Sequence, residues 1–231
     1  MTMRSAGLLL VAIVFVAGCS SMLSWEQDTY TVKRGDTLQQ IAWKFGLDTR
    51  ELAAWNDLGD GNLIHPGQKI HLSAPSGWKK TTRTTSSSRS GSASSKGKST
   101  RHQTVAKPPS EWVWPSEGRL ASTFGQGSLG GKGINIAGQS GQPVLAAASG
   151  EVVYSGSGLI GYGKLIIVKH NETFLSAYGH NNDLVVREGD RVKVGQTIAR
   201  MGDGPDRRPI LHFEIRLNGK PVDPMKYLPK R

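Results

Sequence analysis

Hydrophobic positions change their period several times along this chain. Tyr30 and Val32 alternate with polar residues, the pattern of a half-buried strand. Leu38, Ile41, Ala42 and Phe45 then recur at helical spacing, and Gly46 ends the run. The turn Gly35-Asp36-Thr37 precedes that helix, and its Asp or Thr side chain can cap it by accepting free backbone N–H groups. Thr49 to Trp55 reads as a second helix closing at Asn56. His65-Pro66-Gly67-Gln68-Lys69-Ile70-His71-Leu72 reads as a turn and a final strand. The order is strand–helix–helix–strand, over residues 29–73. Trp43 and Trp55 are candidate sugar-stacking platforms, but their helical positions favour core or partial surface.

From Trp112 onward the period shortens. Glu151–Tyr154, Lys164–Lys169, Thr173–Tyr178, Arg191–Val194, Thr197–Met201 and Leu211–Leu217 are short β-rich runs separated by Gly and Asn/Asp. This punctuation predicts a mainly-β domain built from hairpins over 112–231. In the last run Ile210 and His212 share one face, while Leu211 and Phe213 share the other. Asn218-Gly219 then signals a tight turn. Gly-rich loops at 125–133 and 156–163 are expected to border a groove, although tight turns alone would also explain their glycines.

Residues 74–111 have no apolar period and are rich in Ser, Thr, Lys, Arg and Gly, so a disordered linker is expected. Its root-mean-square span is about 30–36 Å. No Asp or Glu occurs between Gly61 and Ser110, so this stretch carries much of the net charge of +11. Such a basic run is compatible with nucleic acid, but the N-terminus argues against that partner. Arg4, the apolar run Ala6 to Ala17 and Val16-Ala17-Gly18-Cys19 together resemble a lipoprotein signal peptide over 1–18. The apolar run is too short for a confident membrane span. Cys19 is the only cysteine, so no intramolecular disulfide can form, and it is the expected lipidation site. Several acyl chains would anchor the chain durably to a membrane. Ser20 after that cysteine resembles the outer-membrane sorting signal. Anionic lipid headgroups, carboxylate-bearing cell wall or plain solvent are then the counterparts of the basic run.

The first unit, with Gly35-Asp36-Thr37-Leu38, Asn56 and Pro66-Gly67-Gln68, resembles a LysM module, an α+β fold. The resemblance implies binding to the N-acetylglucosamine-containing glycan of peptidoglycan. The sugar would lie between Gly35, Asp36, Thr37 and Leu38 on one side and Leu63, Ile64 and Pro66 on the other.

The second unit resembles the lysostaphin-like (LytM-type) zinc peptidases in two segments, Lys132-Gly133-Ile134-Asn135-Ile136 and Ile210-Leu211-His212. The family reads His-Gly-x-Asp in the first and His-x-His in the second. Its zinc ligands would fall on Lys132, Asn135 and His212, and its catalytic histidines on His180 and Ile210. Lys132 offers N–H donors and no acceptor, Asn135 a neutral carbonyl, and Ile210 no proton. A catalytic zinc needs three lone-pair donors and an open position. The resemblance therefore implies no metal, no cofactor and no hydrolysis. Within the family the chain is most similar to NlpD-type murein hydrolase activators, which also carry Lys in the first ligand position. Asn135 departs further, since Asp is usually kept there.

What that likeness implies is a non-catalytic lipoprotein on the outer membrane, facing the periplasm. It would bind peptidoglycan and activate a periplasmic N-acetylmuramoyl-L-alanine amidase for septal cleavage or wall remodelling. Lys132, Asn135, His180, Ile210 and His212 would line the partner groove. Retained His180 and His212 have a plainer reading, as packed or hydrogen-bonded histidines. Two alternatives stand beside this one: a zinc endopeptidase with an altered metal site, and a wall-binding structural lipoprotein with no enzyme partner.

Overall fold

A computed structural model describes residues 28–59, 63–78, 107–127 and 129–231. The signal segment with Cys19, and the linker from 79 to 106, lie outside the described residues.

The first module pairs β1 (Thr29–Thr31) antiparallel with β2 (Lys69–His71) and lays α1 (Leu38–Phe45) and α2 (Thr49–Trp55) against them. Thr37, rather than Asp36, caps α1. Its side chain accepts from the Gln40 N–H, and Gln40 returns the contact to the Thr37 N–H. Asp36 instead accepts from the Tyr30 hydroxyl and the Lys33 N–H, which fixes the turn. Val32, Leu38, Ile41, Ala42, Leu52, Ala53 and Ile70 fill the core. Leu38 is 2% exposed, so its side chain belongs to that core and not to the glycan edge expected from sequence. It opens the helix on the inward face. The ordered module also runs past Ser73: Trp78 stands edge-on to Trp55, with ring centroids 5.9 Å apart.

The second domain is a large antiparallel sheet. Its strands are β3 (Arg119–Ser122), β4 (Ile134–Ala137), β5 (Pro143–Leu145), β6 (Gly150–Gly156), β7 (Lys164–Lys169) and β8 (Phe174–Leu184). They continue with β9 (Arg191–Val192), β10 (Thr197–Met201), β11 (Ile210–Leu217) and β12 (Lys220–Val222). The main path runs β3-β4-β11-β8-β7-β6-β9; β10 pairs with β8 and β5, and β12 with β11. Four strands differ from the sequence expectation by their presence: β3, β4, β5 and β12 are three or four residues long, too short to display a period. β8 runs to Leu184 rather than ending at Tyr178, which puts His180 inside a strand.

Alternation sorts the sheet into two faces. Leu211, Phe213, Ile215, Ile166, Val168, Phe174 and Tyr178 build the main core on one face. Leu165, Ile167, Ala177, Tyr154, Tyr162 and Leu159 form a smaller cluster on the other, completed by Trp43 of the LysM-like module. A bulge in β6 between Val152 and Tyr154 serves both: Val152 packs into the main core and Tyr154 into the small cluster. Trp43 is 2% exposed, buried by a domain far away in sequence rather than by its own module. Arg50 also pairs with Glu172 across this seam at 3.4 Å. Among the described residues no helix is long and apolar enough to cross a membrane.

Candidate functional site

β4 and β11 place Asn135 directly opposite His212. Gly133, just before β4, permits this approach, because a Cβ there would strike the Phe213 carbonyl oxygen. His212 is 1% exposed and Asn135 7%. The His212 Nδ1 lies 2.8 Å from the Asn135 amide oxygen, and its Nε2 lies 3.1 Å from Glu214 Oε1. With Nε2–H donated to Glu214, Nδ1 presents a lone pair. A half-turn of the Asn135 amide would bring an N–H donor to it.

Glu214 is fully buried and holds three partners. It accepts from His212, from the Tyr162 hydroxyl at 2.7 Å and from Arg216 Nε at 2.9 Å. Burial pushes its carboxyl pKa upward, but the His212 hydrogen bond and the Arg216 charge outweigh burial and hold it below the usual range. The Tyr162 pKa is raised, first by burial and then by the Glu214 charge. Two buried opposite charges, with each of the three guanidinium nitrogens donating, approach the condition under which such a pair is tolerated.

His180 stands on β8 with its ring 6.1 Å from that of His212. Its φ of +63° is unusual for a residue with a Cβ, and such strain concentrates at functional positions. Burial, then the neighbouring His212, lowers its pKa to about 4, so it is neutral at pH 7. Of the five groove residues expected from sequence, the structure brings Asn135, His180 and His212 together. Lys132 is exposed, three residues before Asn135, and Ile210 is half-buried at the start of β11. The two Gly-rich loops do meet: Leu129, at φ +57°, reaches Gly161 and joins the cluster around Tyr162.

These residues do not fit a zinc ion. Lys132 is a cation without an acceptor, Asn135 lacks charge, and the His212 Nδ1 already faces the Asn135 amide. What does persist is the support behind the third ligand position, a carboxylate holding the imidazole. Among the described residues no three His, Cys, Asp or Glu side chains converge as a metal site requires.

Sequence reasoning missed Glu214, Arg216 and Tyr162. The signal was His212, Glu214 and Arg216 at every second position of a strand, which reads as an ordinary solvent face until something is known to cover it.

Known proteins share both halves. The LysM domain matches residues 30–73, and Peptidase family M23 matches residues 130–224. The lipoprotein NlpD/LppB homolog of Pseudomonas aeruginosa is 47% identical over 229 residues, covering 87% of this chain and 77% of its own. The chain belongs to the NlpD/LppB lipoprotein family. The murein hydrolase activator NlpD of Escherichia coli K12, another relative, is 38% identical over 263 residues, covering 90% of this chain and 69% of its own. Lipoprotein YgeR of the same organism is 37% identical and covers 98% of this chain and 94% of its own. The family therefore combines a LysM module with a domain of peptidase descent, as the sequence motifs implied.

Proposed function

We propose that this NlpD/LppB-family protein binds peptidoglycan and activates an N-acetylmuramoyl-L-alanine amidase without hydrolysing anything itself. The observation that carries this reading is the contact between His212 and Asn135 where a zinc ion would sit, inside a sheet otherwise complete. With metal-ligand chemistry gone, binding is the role left to a domain of this fold. The relative named a murein hydrolase activator supports the direction of the assignment. Lys132 offers a cation to a partner carboxylate, Ile210 an apolar contact, and His180 a neutral imidazole. To activate, the groove must bind the open amidase better than the closed one. A swing from 1:99 to 99:1 requires about 5.5 kcal/mol of differential affinity.

In the same reading the LysM module holds the protein to glycan through Gly35, Asp36, Thr37, Leu63, Ile64 and Pro66, with only the backbone of Leu38 contributing. Lipid on Cys19 holds it to the outer membrane facing the periplasm. The relatives named lipoproteins support this placement.

Dye release from labelled peptidoglycan tests the proposal, using the protein with and without each periplasmic amidase and with zinc analysis of the same sample. Release only when an amidase is present, from metal-free protein, is the expected result. Release by the protein alone, abolished by chelator, would make it a peptidase.

A further inference from the structure

Trp43 occupies an unusual place. It lies on α1 of the LysM module, yet it packs with Tyr154, Leu159, Tyr162, Leu165, Ile167 and Ala177 of the other domain. The module's own core, Val32 to Ile70, is complete without it. Its indole stands edge-on to Tyr162 at 6.4 Å between ring centroids, and Tyr162 stands edge-on to His212 at 5.8 Å. Arg216 lies over the indole, its guanidinium carbon 3.3 Å from the ring centroid, and donates from Nη1 to the Trp43 carbonyl at 2.6 Å.

A continuous buried chain results: the Trp43 carbonyl, Arg216, Glu214, His212, Asn135. The LysM module thus supplies Arg216 with a ring and a carbonyl. Undocked, Arg216 would face water. Its grip on Glu214 would then weaken, because water screens the pair, and Glu214 would lose its fixed position under His212.

We propose that Trp43 is a positioning residue for the groove. The LysM module, docked through it, is a structural part of the groove domain and holds the His212 imidazole, through Arg216 and Glu214, with Nδ1 toward Asn135. Gly35 and Leu63 are exposed in this arrangement, Leu63 at 70%, so the module keeps its glycan edge open while docked. The effect on partner binding rests on the groove being the amidase surface. The effect on His212 does not.

The test uses the two-module chain with Cys19→Ser, labelled with 15N-histidine, as wild type, Trp43→Phe and Trp43→Ala. Small-angle X-ray scattering reads docking, and the imidazole nitrogen shifts of His212 read its setting. The His71 resonance of β2 reports that the module is still folded. Trp43→Ala is expected to shift the docked-to-undocked ratio by about a hundredfold, enlarge the particle, and move the His212 nitrogen resonances. Trp43→Phe is expected to stay near wild type in both. Amidase affinity should fall about tenfold in Trp43→Ala, as linkage between the two contacts requires. Unchanged size and unchanged His212 shifts in Trp43→Ala would overturn the proposal. So would an enlarged particle whose His212 shifts match wild type. If no amidase binds the wild type, the activator reading falls, and the imidazole spectrum still decides this one.

Discussion

Arg216 and Glu214 face the same way on β11, two residues apart, and meet at 2.9 Å with both side chains at most 1% exposed. The pair lies beneath a second module and next to the groove, so its energetics govern both. Removing one member of such a pair leaves the other charged and buried. Glu214→Ala is therefore expected to destabilise the protein by about 3–5 kcal/mol. Glu214→Ala combined with Arg216→Met should cost clearly less than Glu214→Ala alone. Urea denaturation of the two variants beside wild type checks this. Equal costs would show that the charge pair is not what matters.

The surviving support under His212 makes a second expectation. Lys132→His with Asn135→Asp restores two lone-pair donors beside an imidazole already oriented by Glu214. The double variant should bind about one zinc per chain, seen by native mass spectrometry, while wild type and Asn135→Asp alone should not. Zinc on the wild type at matching occupancy would contradict the account of the site.

Acid should weaken the fold in a defined window. His170 donates Nδ1–H to the Ser149 carbonyl at 2.9 Å and accepts at Nε2 from the Ser176 hydroxyl at 2.8 Å. Burial lowers its pKa from 6.5 to about 4, against the opposing pull of the Ser149 bond. Below 6.5 the unfolded imidazole takes a proton that the native one refuses. Stability present above 6.5 is thus lost as pH falls toward 4, by at most about 3 kcal/mol for this group. Melting curves at pH 7.5 and 4.5 measure the loss, and His170→Gln should shrink it. An identical acid loss in that variant would assign the effect elsewhere.

Gly133→Ala tests the close approach of β4 to β11. The added methyl would meet the Phe213 backbone, which cannot swing aside as a flexible side chain would. A cost of about 1–3 kcal/mol, or more, is expected from such overpacking. Thermal melting would reveal it, and a neutral result would mean that β4 shifts freely.

The helices were legible because periodicity and capping agree: Leu38, Ile41, Ala42 and Phe45 recur at helical spacing, and Thr37 with Gln40 closes the first turn. The substitutions at Lys132, Asn135 and Ile210 were legible because metal chemistry demands particular atoms. Asp36 and Thr37 were offered as equal caps, since both side chains can accept, and only geometry chose Thr37. Trp43 was expected in a core or at a partial surface, yet its burial comes from Tyr162 and Arg216, whose distance in sequence hides them. Leu38 was assigned to the glycan edge by motif position, which says nothing about which way a helix turns its first residue.

The Asn218-Gly219 turn reads as ordinary hairpin chemistry, yet Gly219 sits so close to Leu47 of the LysM module that a Cβ there would strike the Leu47 carbonyl. A hairpin in one module has thus become part of the fit of the other. A LysM module seated on this sheet needs a backbone at position 47 that leaves room for the hairpin and a side chain at position 43 that fills the cluster beside Tyr162. The two halves of this protein are therefore cut to each other's contour, and a bulkier residue on one side of the seam needs room made on the other.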